Sequence, residues 1–136
     1  MRRTNLRIDV MEMRARMRRE LSLAGPGQFD IKQGSGGIAD IEFLVQYWVL
    51  GAAHRCPQLI AFTDNIRQLE ALADCGVIDV ATAQWLMEAY RGYREVLHHL
   101  SLESANERVV DAAPYAEKRE RVQEIWNKTF AEPEGS

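Results

Sequence analysis

The sequence predicts an all-α fold, an antiparallel bundle of about five helices with a glycine-rich loop before the central helix. Three observations carry that prediction. Apolar residues recur at spacings of three and four through most of the chain. Helix stops and caps fall between those stretches, and no stretch alternates well enough to be a strand. With 136 residues, 46% of them hydrophobic and 27% charged, the composition is that of an ordinary globular domain and excludes disordered, collagen-like and low-complexity chains. A single helical domain over residues 1–136 is expected, a size that suits one piece of a larger enzyme.

Leu6, Val10, Met13, Met17 and Leu21 follow one another at spacings of four, three, four and four, one stripe of a helix over residues 4–23. The stripe reads as core, with methionine as adaptable filler. Gly25-Pro26-Gly27 ends it, and Phe29 to Ile31 reads as a brief extended segment. A second helix over 39–53 is apolar almost all round and so belongs at the centre of the bundle. Beyond Pro57, Thr63 or Asp64 caps a third helix through Ala73, with Gly76 placed for a left-handed residue past its end. Asp79 caps a long fourth helix, whose buried side carries Trp85, Leu86, Ala89, Tyr90, Tyr93, Val96, Leu97 and Leu100. Pro114 opens a fifth, with Val122, Ile125 and Trp126 inward, and residues 132–136 are expected to fray.

Net charge is −3 but unevenly spread: residues 1–19 hold seven arginines against Asp9 and Glu12, a local +5 that leaves −8 for the rest. Such a segment is a solvated face, a face docked on the acidic body, or a contact for anions. Without stacking aromatics or a recognisable motif it does not make a nucleic-acid interface. Cys56 and Cys75 lack metal-ligand spacing and are too few for a disulfide framework, which fits a reducing cytoplasm. No run is long and apolar enough for a membrane span, and no secretory signal follows the arginines. A soluble, cytoplasmic protein is expected.

Chemistry concentrates at Lys32-Gln33-Gly34-Ser35-Gly36-Gly37, which runs straight into the second helix. Glycines let a backbone approach an anion closely, a helix N-terminus offers unpaired N–H groups and a favourable dipole, and Lys32 adds a mobile cation. The same residues also suit a mere tight connection, and they are not a Walker motif. Asp40 and Glu42 diverge by about 200° on a helix and so form no paired metal site. No metal ligand is expected in this chain. Asp40 is expected to cap the helix or hold the glycine loop. Glu42, if buried, needs a cation, for which Arg14 and Arg18, four apart on the first helix, are the candidates. A structural ion pair and a ligand-positioning carboxylate both stay open for it. His98 and His99 point to different faces, His54 suits a helix C-terminal cap, and no Ser-His-Asp or Cys-His set can be assembled.

The string Lys32-Gln33-Gly34-Ser35-Gly36-Gly37-Ile38-Ala39-Asp40-Ile41-Glu42-Phe43, followed by Val45-Gln46-Tyr47, resembles the signature of bacterial glutamine synthetase adenylyltransferases. The likeness extends to the helix around Met11 to Met17, to Thr63-Asp64-Asn65-Ile66-Arg67 and to Tyr93 through Leu100, and covers roughly Leu6 to Trp126. A similar lysine-and-glycine string occurs in the uridylyltransferases that modify the PII signal protein, but the Asp40-Ile41-Glu42-Phe43 continuation favours the adenylyltransferases.

The resemblance implies the helical domain that follows the C-terminal nucleotidyltransferase core of an enzyme regulating nitrogen assimilation. That enzyme transfers AMP from ATP to a tyrosine of glutamine synthetase with Mg²⁺, under control of PII protein and glutamine. The family's metal-binding Asp-x-Asp and its Gly-Ser loop belong to the preceding core and are absent here. No catalytic residue is therefore expected in this chain, and ATP and Mg²⁺ are expected to bind the full-length enzyme rather than this domain alone. Lys32, Gly34, Gly36 and Gly37 are the positions implied to face nucleotide phosphates, with Asp40 and Glu42 as supporting carboxylates and Arg14 and Arg18 as cationic partners. The expected partners are its own nucleotidyltransferase core, glutamine synthetase and PII protein, with a homodimer through surfaces the core would cover as a further state. The competing reading is an interaction module for glutamine synthetase or PII protein, with the loop only a hinge, or the equivalent domain of a PII uridylyltransferase.

Overall fold

A computed structural model describes residues 3–104 and 107–131. Five helices make up most of it: α1 (Arg3–Leu21), α2 (Ile38–Ala52), α3 (Asn65–Asp74), α4 (Val80–Glu103) and α5 (Ala116–Phe130), with single 3-10 turns at Pro57–Ala61 and Ala113–Tyr115. The all-α expectation holds, and the helix bounds agree with the sequence reading to within a few residues. The tail expected to fray, 132–136, lies outside the described residues. No described helix is long and apolar enough to cross a membrane.

The caps follow from side-chain chemistry. Asp64 accepts the N–H of Ile66 at 2.9 Å and Asp79 that of Thr82 at 2.7 Å, each satisfying a donor that the helix itself leaves unpaired. The bond from Thr82 holds the Asp79 carboxyl below the usual aspartate range. α2 is the central element and packs against α1, α3, α4 and α5. Its Ile38, Ile41, Val45 and Val49 are buried with Leu69 and Leu72 of α3, Leu86 and Tyr93 of α4 and Val122 of α5. Each such aliphatic side chain contributes about 1.5–3 kcal/mol on leaving water.

α1 departs from the expectation. Its apolar stripe is not the buried one, since Met13 is 48% and Leu21 45% exposed, and Leu6, Val10 and Met17 are only partly covered. The face turned to α2 carries Arg14 and Arg18, and Arg14 is 0% exposed. A carboxylate on α2 is the cause: Asp40 is buried and draws the arginines inward, because a buried charge must be paired. Arg7 reaches the far end of the bundle and donates from Nη1 to the carbonyl oxygen of Phe130 at 3.0 Å, a cation on the C-terminal end of α5.

Three smaller differences accompany this one. Gln28–Asp30 (β1) pairs antiparallel with Val109–Asp111 (β2), placing Phe29 opposite Val110; strands of three residues are too short to show alternation. Cys56 and Cys75, read as too few for a disulfide framework, are joined as one disulfide, their Cα atoms 6.4 Å apart across a sequence separation of 19, so they no longer argue for the reducing compartment drawn from them. That spacing is within reach of a bridge. His54 lies one residue beyond the α2 cap, which is Ala53.

Candidate functional site

Asp30 starts the loop. Phe29 and Ile31 flank it in the core, so Asp30 is carried inside at 0% exposure and its carboxylate has to be fully bonded. Oδ1 accepts the N–H groups of Lys32 and Gln33, both at 3.0 Å, while Oδ2 accepts the N–H of Leu23 at 2.9 Å and Nε of Arg108 at 3.0 Å. An aspartate bonding the backbone two residues on is a turn-former. Sequence reading missed both residues. Asp30 carried a signal in its position just before the loop, whereas nothing local pointed to Arg108, which is 78 residues away.

The three glycines serve close internal packing. A Cβ on Gly34 would lie 2.6 Å from the carbonyl oxygen of Asp30, one on Gly36 would lie 2.7 Å from that of Arg119, and one on Gly37 would collide with that of Ile31. Gly36 also sits at φ +80°, where only glycine is unstrained. The N–H groups of Gly34, Gly36 and Gly37 donate to the Asp30 carbonyl, to Asp40 Oδ2 and to the Gly34 carbonyl. Those of Ile38 and Ala39 donate to the carbonyls of Ile31 and Lys32. A phosphate would need these same donors. The cradle expected of Gly34, Gly36 and Gly37 is therefore closed from within, and the loop is the tight connection that the same residues also allowed.

Asp40 holds that connection in place. Its Oδ1 accepts Nε of Arg14 at 2.5 Å and Nη2 of Arg18 at 3.2 Å, and its Oδ2 accepts the N–H of Gly36 at 2.7 Å. Arg14 spends its other nitrogens on Gln33, with Nη1 to Oε1 at 3.2 Å and Nη2 to the carbonyl at 2.5 Å. The two arginines nominated for Glu42 thus belong to Asp40. From the other side Tyr93 donates its hydroxyl to the Gly36 carbonyl at 2.8 Å, and burial pushes its phenol well above the ordinary range. Arg119 donates from Nε to the Ser35 carbonyl at 2.9 Å with its guanidinium 4.3 Å from the Phe29 ring centre, and Gln123 donates to Ser35 Oγ at 2.7 Å. The loop is fixed from α1, α4 and α5 at once.

Glu42 and Lys32 are the groups this lock leaves available. Glu42 is half-buried and accepts the Tyr90 hydroxyl at 3.0 Å, while the Tyr90 oxygen accepts from Asn65 Nδ2 at 3.2 Å. Burial first, and then the charge of Glu42, raise the Tyr90 phenol above its usual value. Lys32 is exposed and makes no ion pair among the described residues. Its carbonyl accepts the N–H of Ala39 at 3.0 Å, which puts it at the amino end of the α2 stripe Ala39, Glu42, Phe43 and Gln46. Arg18, with its side chain 34% exposed, keeps a buried Nε that has no partner.

Among the described residues no three His, Cys, Asp or Glu side chains are placed to hold a metal, and the oxygens of Asp30 and Asp40 are committed to arginine and backbone donors. This donor set does not fit Mg²⁺, and the closed glycine turn does not fit the phosphates of ATP. Two clefts of about 530 and 540 Å³ open along α5, one by Trp48, Asp79 and Lys128 and the other by Trp85 and Lys118. Neither shares a residue with the loop.

A family profile described as GlnD PII-uridylyltransferase matches residues 5–129. The bifunctional glutamine synthetase adenylyltransferase/adenylyl-removing enzyme of Thioalkalivibrio sulfidiphilus is 45% identical over 130 residues, covering 96% of this chain and 13% of its own length. The enzyme of the same description from Nitrosococcus oceani is 46% identical over 122 residues, covering 90% and 12%. That from Mannheimia succiniciproducens is 40% identical over 129 residues, covering 95% and 13%. The chain therefore spans about an eighth of the length of these relatives. Matched over nearly its whole length, it belongs to the GlnD PII-uridylyltransferase family, among relatives that are glutamine synthetase adenylyltransferases.

Proposed function

We propose that this chain is the helical domain following the C-terminal nucleotidyltransferase core of a cytoplasmic glutamine synthetase adenylyltransferase, and that it presents Lys32 and Glu42 to the nucleotide-handling site. One observation carries this reading: an exposed lysine stands at the end of a loop that Asp40, Arg14, Tyr93 and Arg119 hold immobile. The loop fixes the backbone of Lys32 and leaves its exposed ammonium, a compact charge on a flexible stem, free to reach a phosphate. Lys32 meets phosphate, and Glu42 orients a hydroxyl or cationic group. ATP, Mg²⁺ and the metal ligands come from the rest of the enzyme, and this domain transfers nothing alone. In the full-length enzyme, Lys32→Ala is expected to lower AMP transfer about tenfold or more at saturating glutamine synthetase, with the melting temperature unchanged. An unaltered rate would remove Lys32 from the nucleotide-handling site.

A second observation favours a docking role for another face. Met13, Leu21 and Leu23 of the α1 region are exposed, an apolar edge of the kind that partners cover. The partner is the nucleotidyltransferase core, glutamine synthetase, PII protein or a second copy of the domain. Met13→Asp, made in the full-length enzyme, raises the KM for glutamine synthetase if that protein covers the edge; an unchanged KM excludes glutamine synthetase as what covers it.

A further inference from the structure

We infer that Tyr90 and Asn65 are positioning residues for Glu42, so that the site is assembled from α2, α3 and α4 together. The inference rests on the reading above, in which Glu42 serves the nucleotide-handling site. It starts from a contrast among three carboxylates. Asp30 and Asp40 are fully buried, and each is given arginine: Arg108 for the first, Arg14 and Arg18 for the second. Glu42 is half-buried and has no ion pair among the described residues; its partner is a neutral phenol. A carboxylate buried as deeply as Asp30 or Asp40 needs a cation to offset its desolvation, which the half-buried Glu42 does not. A neutral donor instead fixes the direction of the group and leaves its negative charge uncancelled, available to a hydroxyl or cation of the bound ligand.

The direction of the bond is also determined. Asn65 Nδ2 can only donate, so it uses an acceptor site on the Tyr90 oxygen and the phenol proton is left to Glu42 Oε2. Asn65 is the first residue of α3 and follows the Asp64 cap, and Tyr90 is buried in α4, so both members of the chain stand on rigid supports. Among the described residues no hydrogen bond is made to Glu42 Oε1, which leaves that oxygen for the ligand.

The test is a double-mutant cycle in the full-length enzyme with Glu42→Gln, Tyr90→Phe and both together, following kcat and KM for AMP transfer and the melting temperature. Glu42→Gln is expected to lower kcat about tenfold, Tyr90→Phe about fivefold, and the double variant no further than Glu42→Gln alone, with KM for glutamine synthetase unchanged. Rates are compared per folded enzyme, so a loss that merely tracks the folded fraction overturns the inference. If Glu42→Gln lowers kcat but Tyr90→Phe does not, or the two losses multiply, the positioning role is wrong while the role of Glu42 stands. If Glu42→Gln itself changes nothing, the reading of Glu42 fails and the positioning role falls with it.

Discussion

Arg14 and Asp40 are each removed from water, at 0% and 2% exposure of their side chains, so neither tolerates the loss of the other. Breaking a buried pair from one side leaves an uncompensated charge and costs about 3–5 kcal/mol. Asp40→Asn is expected to lower stability by that amount in urea unfolding; a loss below about 1 kcal/mol would mean that Gln33 and the backbone hold the loop without it. Tyr93 gives a subtler signal. Burial raises its phenol above the ordinary 10.0, so the folded protein resists its ionisation. The contribution is intact below pH 10 and falls away as pH rises through the raised value. Tyr93→Phe removes the bond to Gly36, costs about 1 kcal/mol at neutral pH, and should flatten the decline in stability above pH 10, as denaturation at a series of alkaline pH values would read directly.

At the scale of elements, α2, α3 and α4 were legible because their signals are local. An all-round apolar run marks a central helix, and Asp64 and Asp79 announce their helices with the caps that the structure uses. α1 was legible as a helix but not in its orientation. Its apolar stripe and its arginines occupy neighbouring sectors of one cylinder, and the buried carboxylate that decides between them is 26 residues away. The glycines were correctly placed at a turn before α2; Gly34 and Gly37 are required by the carbonyls of Asp30 and Ile31 in that same turn, whereas Gly36 is set by Arg119 and Tyr93, whose approach no local pattern encodes. The Cys56–Cys75 bond was likewise a matter of tertiary proximity. It closes a loop of 19 residues around α3, worth about 3 kcal/mol in chain entropy. A reductant should therefore lower the melting temperature by several degrees, and identical melts with and without it would show that the bond contributes nothing.

For the whole molecule, the basic first helix and the acidic remainder fit together internally: Arg14 and Arg18 are consumed by Asp40 and Arg7 by the end of α5. What the domain offers outward is the Lys32 edge and the Glu42 face on an immobile frame. Because it spans about an eighth of its relatives, it should show no AMP transfer to glutamine synthetase when supplied with ATP and Mg²⁺ on its own; turnover in a labelled-AMP assay would place the chemistry inside these helices. Whether Lys32 faces nucleotide phosphate is read out by phosphate-directed lysine labelling of the full-length enzyme. Pyridoxal phosphate followed by borohydride is expected to modify Lys32, and ATP is expected to prevent it. Modification of Lys32 to the same extent with and without ATP would contradict the account.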